Sequence, residues 1–182
     1  VDTYSDSKVK AFANKYLISM KIDAEKGEGI ELAKQFGVRG FPTIIIANEN
    51  GQEVDRIVGY MPPEPFLEKL NQIKNGINTM PTLLGELELD PTKFSTLFKL
   101  ANKYENMNDK ASAREMINAI LEAGTDSSGA AAFQSILYDA RETRDPTPLI
   151  TYADKNPDSE NSSAALEEAM WFVRGIGDDP DL

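Results

Sequence analysis

The 182-residue sequence contains no cysteine, no histidine and a single tryptophan. Without cysteine there is no disulfide, no thiolate nucleophile and no thiolate metal site; without histidine the usual general base near neutral pH and the commonest transition-metal ligand are missing. Any chemistry done by these residues alone falls to carboxylates, lysine, tyrosine, serine or threonine. A lack of cysteine suits a reducing and an oxidising compartment equally well. No apolar run exceeds a few residues, so no membrane span is expected, and Val1-Asp2-Thr3-Tyr4-Ser5-Asp6 has neither the basic start nor the apolar stretch of a signal peptide. An export signal would have to lie outside this sequence. Basic residues are also scarce: 19 Lys and Arg face 30 Asp and Glu, a net charge of -11. Such a surface repels polyphosphate, which excludes nucleic acid and anionic membranes as partners.

What remains is an ordinary globular composition. Hydrophobic residues make up 41% and charged residues 27%, enough for a real core, and 10 Pro with 12 Gly are too few for a linker or a disordered chain. The charge is uneven. Residues 1–76 carry ten basic and eleven acidic side chains, whereas residues 77–182 carry nine and nineteen. The change coincides with Asn75-Gly76, a good helix terminator, followed by the irregular stretch Ile77-Asn78-Thr79-Met80-Pro81. A domain boundary is expected there, giving domains 1–76 and 77–182.

The first domain alternates element types. After the N-cap cluster Ser5-Asp6-Ser7, the residues Val9, Phe12, Ala13 and Tyr16 form the stripe of an amphipathic helix. In Leu17-Ile18-Ser19-Met20-Lys21-Ile22, apolar residues alternate with polar ones as in a strand with one buried face. A helix is expected from about Gly29 to Phe36, stopped by Gly37, and then a buried strand at Thr43-Ile44-Ile45-Ile46-Ala47. Asn48-Glu49-Asn50-Gly51 reads as a hairpin turn into a strand from Glu53 to Val58, closed by Gly59. A last helix near Glu64–Lys74 turns Phe66, Leu70 and Ile73 inward with Leu67. The expected order is a parallel crossover followed by an antiparallel hairpin, an α/β arrangement.

Lys21-Ile22-Asp23, the helix ending in Phe36-Gly37-Val38, then Arg39-Gly40-Phe41-Pro42-Thr43 and the hairpin ending in Arg56-Ile57-Val58-Gly59-Tyr60 together resemble the C-terminal half of the thioredoxin fold. The nearest likeness is to the thioredoxin-related proteins common among exported bacterial chains. The resemblance implies that Pro42 is a cis-proline facing a redox site and that the Phe41 backbone pairs with an extended protein or peptide substrate. The implied substrate-binding residues are Gly40, Phe41 and Pro42. It also implies thiol-disulfide exchange in the periplasm or another exported location, the alternative being the cytoplasm. The family's Trp-Cys-x-x-Cys and the central strand before it have no counterpart here, so this chain alone has no catalytic residue and no cofactor, and the thioredoxin-like α/β domain is expected to be incomplete. Either the sequence is a portion of a longer protein, as a start without Met suggests, or the strands at 17–22 and 43–47 pair directly in a smaller sheet.

From Asp90-Pro91 onward the chain reads as helical hairpins. The expected stripes are Phe94, Leu97, Phe98, Ala101 and Tyr104; then Ala113, Met116, Ile117, Ile120 and Leu121; then Phe133, Ile136, Leu137 and Ala140. Asp145-Pro146 starts a fourth helix with Leu149, Ile150 and Ala153, and Asn161-Ser162 a fifth with Leu166, Ala169, Met170 and Val173. Tyr104, Tyr138 and Phe172 lie 34 residues apart, as do Leu97, Ala131 and Ala165, a spacing that resembles the tetratricopeptide period. Thr147, Thr151 and Asp154 fit that pattern poorly, and a plain helical bundle needs only the same stripes. The tail from Gly175 reads as an unstructured end.

Other candidate chemistry gives way to ordinary readings. Asp23-x-Glu25-x-Gly27-x-Gly29-x-Glu31 imitates a calcium loop, but Glu28 stands where an EF-hand needs Gly and Lys34 where it needs the bidentate Glu, so no metal is expected. Asp178-Asp179-Pro180-Asp181 reads as an acidic tail and Glu167-Glu168 as a solvated face. Trp171 is expected to pack in or cap the helical core, with a peptide anchor as its alternative. Phe41, Tyr60 and Met61-Pro62-Pro63 are candidates for an apolar rim around a bound strand. The rival to redox function is a non-catalytic scaffold whose acidic helical domain captures a basic partner.

Overall fold

The computed structural model describes residues 2–174. They fall into two compact units, one running to Leu89 and including Asn106–Asp109, the other comprising Asp90–Glu105 and the residues from Lys110 onward. The charge break at Gly76 and the limits of the compact units therefore do not coincide.

The first unit contains α1 (Asp2–Ser5), α2 (Ser7–Tyr16), α3 (Glu28–Gln35), β1 (Thr43–Ala47), β2 (Glu53–Val58), α4 (Pro63–Lys74) and α5 (Met80–Leu89). Asp6 caps α2, its Oδ1 accepting from the N–H groups of Lys8 at 2.8 Å and Val9 at 3.0 Å, which satisfies two donors that no helical carbonyl can reach. Pro63 opens α4, where a missing N–H costs nothing. Phe66, Leu70 and Ile73 follow at i, i+4 and i+7 and are buried with Val9 and Phe12 of α2 and Ile57 of β2. Fully burying such a side chain contributes about 1.5–3 kcal/mol, and truncating Leu70 to Ala would cost about 2–5 kcal/mol. The turn between the strands is organised by Asn48, whose Oδ1 accepts from the N–H groups of Asn50 and Gln52. Gly51 takes a φ of +75°, which a side chain would resist.

The strand expected over residues 17–22 does not form. Among the described residues the sheet consists of β1 and β2 alone, antiparallel, and Ile18 and Met20 are 97% and 81% exposed. The two segments do not pair directly with each other either. Alternating side chains supply one face of a strand but not the neighbouring backbone that must satisfy its N–H and C=O groups. The arrangement is thus an antiparallel hairpin without its parallel crossover. β1 is half-buried rather than buried as expected, because a two-stranded ribbon leaves it one neighbour. The helix α5 was not expected: Thr82 Oγ1 donates to Gly76 O at 2.7 Å within the stretch read as irregular, and Met80 and Leu83 are buried.

The second unit is helical: α6 (Phe94–Asn106, its last residue belonging with the first unit), α7 (Lys110–Ala123), α8 (Ala130–Thr143), α9 (Thr147–Lys155) and α10 (Glu160–Val173). Asp90-Pro91 forms a turn rather than a helix start, with Asp90 Oδ1 accepting from Thr92 N at 3.2 Å. From α7 on, consecutive helices pack on one another, and α10 also touches α8. Arg141 on α8 donates to Glu168 on α10 at 2.8 Å. Leu97, Ala131 and Ala165, spaced by 34 residues, are all fully buried or nearly so.

On α10 the buried residues are Ser162, Ala165 and Ala169, whereas Leu166, Met170 and Val173 of the expected stripe are exposed. Small side chains let helix backbones approach closely, so alanine rather than the larger apolar residues occupies the contact with α8 and α9. Its cap is Ser159, whose Oγ accepts from Asn161 N, ahead of the expected start. Trp171 is 50% exposed, contrary to the packing role expected for it. The acidic tail from Gly175 lies outside the described residues.

Candidate functional site

Gly40, Phe41 and Pro42 form the approach to β1. Gly40 O accepts from Thr43 Oγ1 at 2.8 Å, and Pro42 O accepts from Gly59 N at 2.8 Å, so both ends of the approach are tied to the hairpin. The Phe41–Pro42 peptide is cis. Between these ties Phe41 is 66% exposed, and among the described residues its N–H and C=O take no backbone partner. A free donor and a free acceptor on a held segment are what an incoming extended chain requires.

Beside this segment lies a cavity of about 150 Å³ lined by Thr3, Tyr4, Pro42, Ile44, Gly59, Tyr60, Met61 and Phe66. Its walls are mostly apolar. The hairpin supplies Ile44 and Gly59, the segment after it Tyr60 and Met61, and α4 supplies Phe66. Tyr60 is 61% exposed at the rim, on the side where an apolar edge was expected. Thr3 and Tyr4, from the unexpected α1, complete the lining: Thr3 Oγ1 donates to Met61 O at 2.5 Å, and the Tyr4 ring meets Phe66 edge-on at 5.9 Å. No periodicity in the sequence announces a contact spanning 58 residues. Tyr4, an aromatic just ahead of the helix cap, was the only available signal.

The acidic stretch running from Asp23 into α3 makes local pairs. Asp23 meets Lys26 at 3.2 Å and Glu31 meets Lys34 at 3.3 Å, each on the surface. Among the described residues no three acidic side chains are grouped to hold a metal ion. Nor is any helix of the described residues long and apolar enough to cross a membrane. The lining of the cavity contains no nucleophile stronger than a hydroxyl.

Residues 2–74 match the family model described as a thioredoxin-like domain. A thiol:disulfide interchange protein DsbD of Pasteurella multocida (strain Pm70) is 36% identical over 76 residues, 40% of this chain and 13% of the relative. The DsbD of Yersinia pestis (strain Pestoides F) is 37% identical over 71 residues, 37% of this chain and 12% of the relative. The chain therefore corresponds to a small part of these relatives' length. No solved structure matches it. The match takes in the approach to β1, the hairpin and α4, so residues 2–74 are similar to a thioredoxin-like domain.

Proposed function

We propose that this chain is part of a thioredoxin-like protein of thiol-disulfide exchange. Gly40, Phe41 and Pro42 hold an extended protein or peptide substrate, and the redox cysteines are supplied by residues outside this sequence. The observation that supports this reading is the unpaired backbone of Phe41 beside an apolar cavity, inside the residues that match the thioredoxin-like family model. The Phe41 N–H and C=O bind the substrate as an added strand, and Tyr4, Tyr60 and Met61 keep water from its apolar side chains. A thiolate outside this sequence attacks one sulfur of the substrate disulfide and forms a mixed disulfide. A second thiolate releases it, so the pair is oxidised as the substrate gains two thiols. An exported or periplasmic location accords with this role.

Two measurements test it. The residues preceding Val1 should include a Cys-x-x-Cys pair, and a continuous reading frame without one overturns the proposal. In the full-length protein, Phe41→Ala and Tyr60→Ser should raise KM for disulfide reduction about threefold to tenfold, since each removes rim contacts worth about 1 kcal/mol.

A second reading is supported by the recurrence of buried positions every 34 residues on α6, α8 and α10 and by the contact of α8 with α10. The second unit then acts as a tetratricopeptide-like module, and its acidity selects a basic partner. Binding of a basic peptide that survives moderate salt supports it; binding that vanishes with salt counts against it.

A further inference from the structure

We propose that Leu166, Met170 and Val173 on α10 form the docking stripe for a basic amphipathic helix of a partner protein. The inference rests on the reading of the second unit as a binding module and gives that module a site. These residues stand at i, i+4 and i+7, which places them along one face of a helix. They are 46%, 49% and 76% exposed, while the adjoining face with Ala165 and Ala169 is fully packed. The stripe is thus an apolar band beside, not within, the buried contact. Apolar rows at this spacing match the row of another helix, whereas an extended strand, with its twofold period, would meet only part of it.

Charge decides the partner's character. From Asp145 to Arg174 there are six acidic side chains and two basic ones. Glu168 is engaged by Arg141, while Glu160 and Glu167 are exposed on the outer side of α10. Arg174 is the C-cap of α10, directly after Val173. A second copy would bring the same acidic excess to the contact, and anionic lipid would be repelled in the same way. A helix with apolar residues on one face and Lys or Arg beside them satisfies both the band and its acidic border.

The test uses the whole chain and three fluorescently labelled synthetic helical peptides: one with Leu at i, i+4 and i+7 flanked by Lys, one with every Lys replaced by Gln, and one with every Leu replaced by Gln. Only the first should bind by anisotropy titration. The double variant Leu166→Gln, Met170→Gln removes the apolar stripe without altering charge and should weaken binding at least about tenfold. Both positions are exposed, so circular dichroism should be unchanged. As a measurement on the unaltered chain, the Met170 methyl resonance should move when the first peptide is added. Equal binding by the double variant with an unmoved Met170 resonance removes this site but leaves the broader module intact. Equal binding of the Gln-flanked peptide also overturns the proposal, as does self-association of the chain that the double variant abolishes, which would make a second copy the occupant.

Discussion

Glu53 and Arg56 lie three residues apart on one strand, yet their side chains meet as a fork: Oε1 accepts from Nε and Oε2 from Nη2, each at 2.6 Å. Residues three apart on a regular strand point to opposite faces. Here Ile45 pairs with Arg56 and Ala47 with Glu53, so an extra residue in β2 opposite Ile46 and Ala47 brings both charged groups to one side. The guanidinium also donates to Phe36 O and Asn106 O, both at 2.7 Å, and thereby ties the end of α3 and residues 106–109 to the hairpin.

Removing one partner of this buried pair should be costly. Arg56→Met leaves the Glu53 carboxylate uncompensated and two carbonyls without their donor, and the expected loss is about 3–5 kcal/mol in denaturant unfolding. Glu53→Gln combined with Arg56→Met should recover part of that loss. If the double variant proves less stable than Arg56→Met alone, the interaction is not the ion pair described.

Gly37 offers a second test. Its φ is +59°, and a Cβ there would stand 2.1 Å from Met107 O. Gly51 has a φ of +75° but open space around it. Gly51→Ala should cost about 1–2 kcal/mol from backbone conformation alone, and Gly37→Ala clearly more, because backbone must also move. Melting temperatures of the two variants compare them directly.

Asp145 accepts from Thr147 N at 2.9 Å at the start of α9, and this bonding to Thr147 holds its carboxyl below the ordinary value of 3.8. A lowered folded value means that the charged carboxylate stabilises the fold above pH 3.8 and that this contribution disappears as pH falls through the folded value. Asp145→Ala should therefore melt below the parent chain at neutral pH, and the two melting curves should converge in acid.

Tyr138 titrates in the opposite sense. Burial pushes its phenol well above the ordinary value of 10.0, and the Glu105 carboxylate beside it adds to the effect. A raised folded value means that the neutral phenol favours the fold below pH 10, an advantage lost as pH rises toward the folded value while the unfolded chain ionises first. Tyr138→Phe should flatten that alkaline loss of stability. Unfolding curves at neutral pH and above pH 10 provide the measurement.

Elements with local causes were legible in the residues. Asp6 caps the helix that follows it, the Asn48–Gly51 turn joins two β-branched segments, and Phe66, Leu70 and Ile73 mark one face of α4. Within the candidate site the resemblance pointed to Gly40, Phe41, Pro42, Tyr60 and Met61, of which Pro42, Tyr60 and Met61 line the cavity. Thr3 and Tyr4 escaped because they reach the cavity from a helix of four residues whose stability comes from contacts across the unit. α10 was turned the wrong way because hydrophobicity ranks Leu166 and Met170 above Ala165 and Ala169. Helix packing instead rewarded the smaller side chains.

Composition alone settled that no thiol or imidazole chemistry resides in these residues, since a missing side chain cannot be restored by folding. Periodicity and caps settled most of the helices and the hairpin, because those preferences act between near neighbours. Whether Ile18, Met20 and Ile22 would belong to a sheet, and which faces of α10 would stay wet, depended on partners distant in the chain. A ladder needs a second backbone and a packed face needs a surface that fits it; the three-dimensional arrangement paired residues 17–22 with no strand and, among the described residues, left the outer side of α10 exposed.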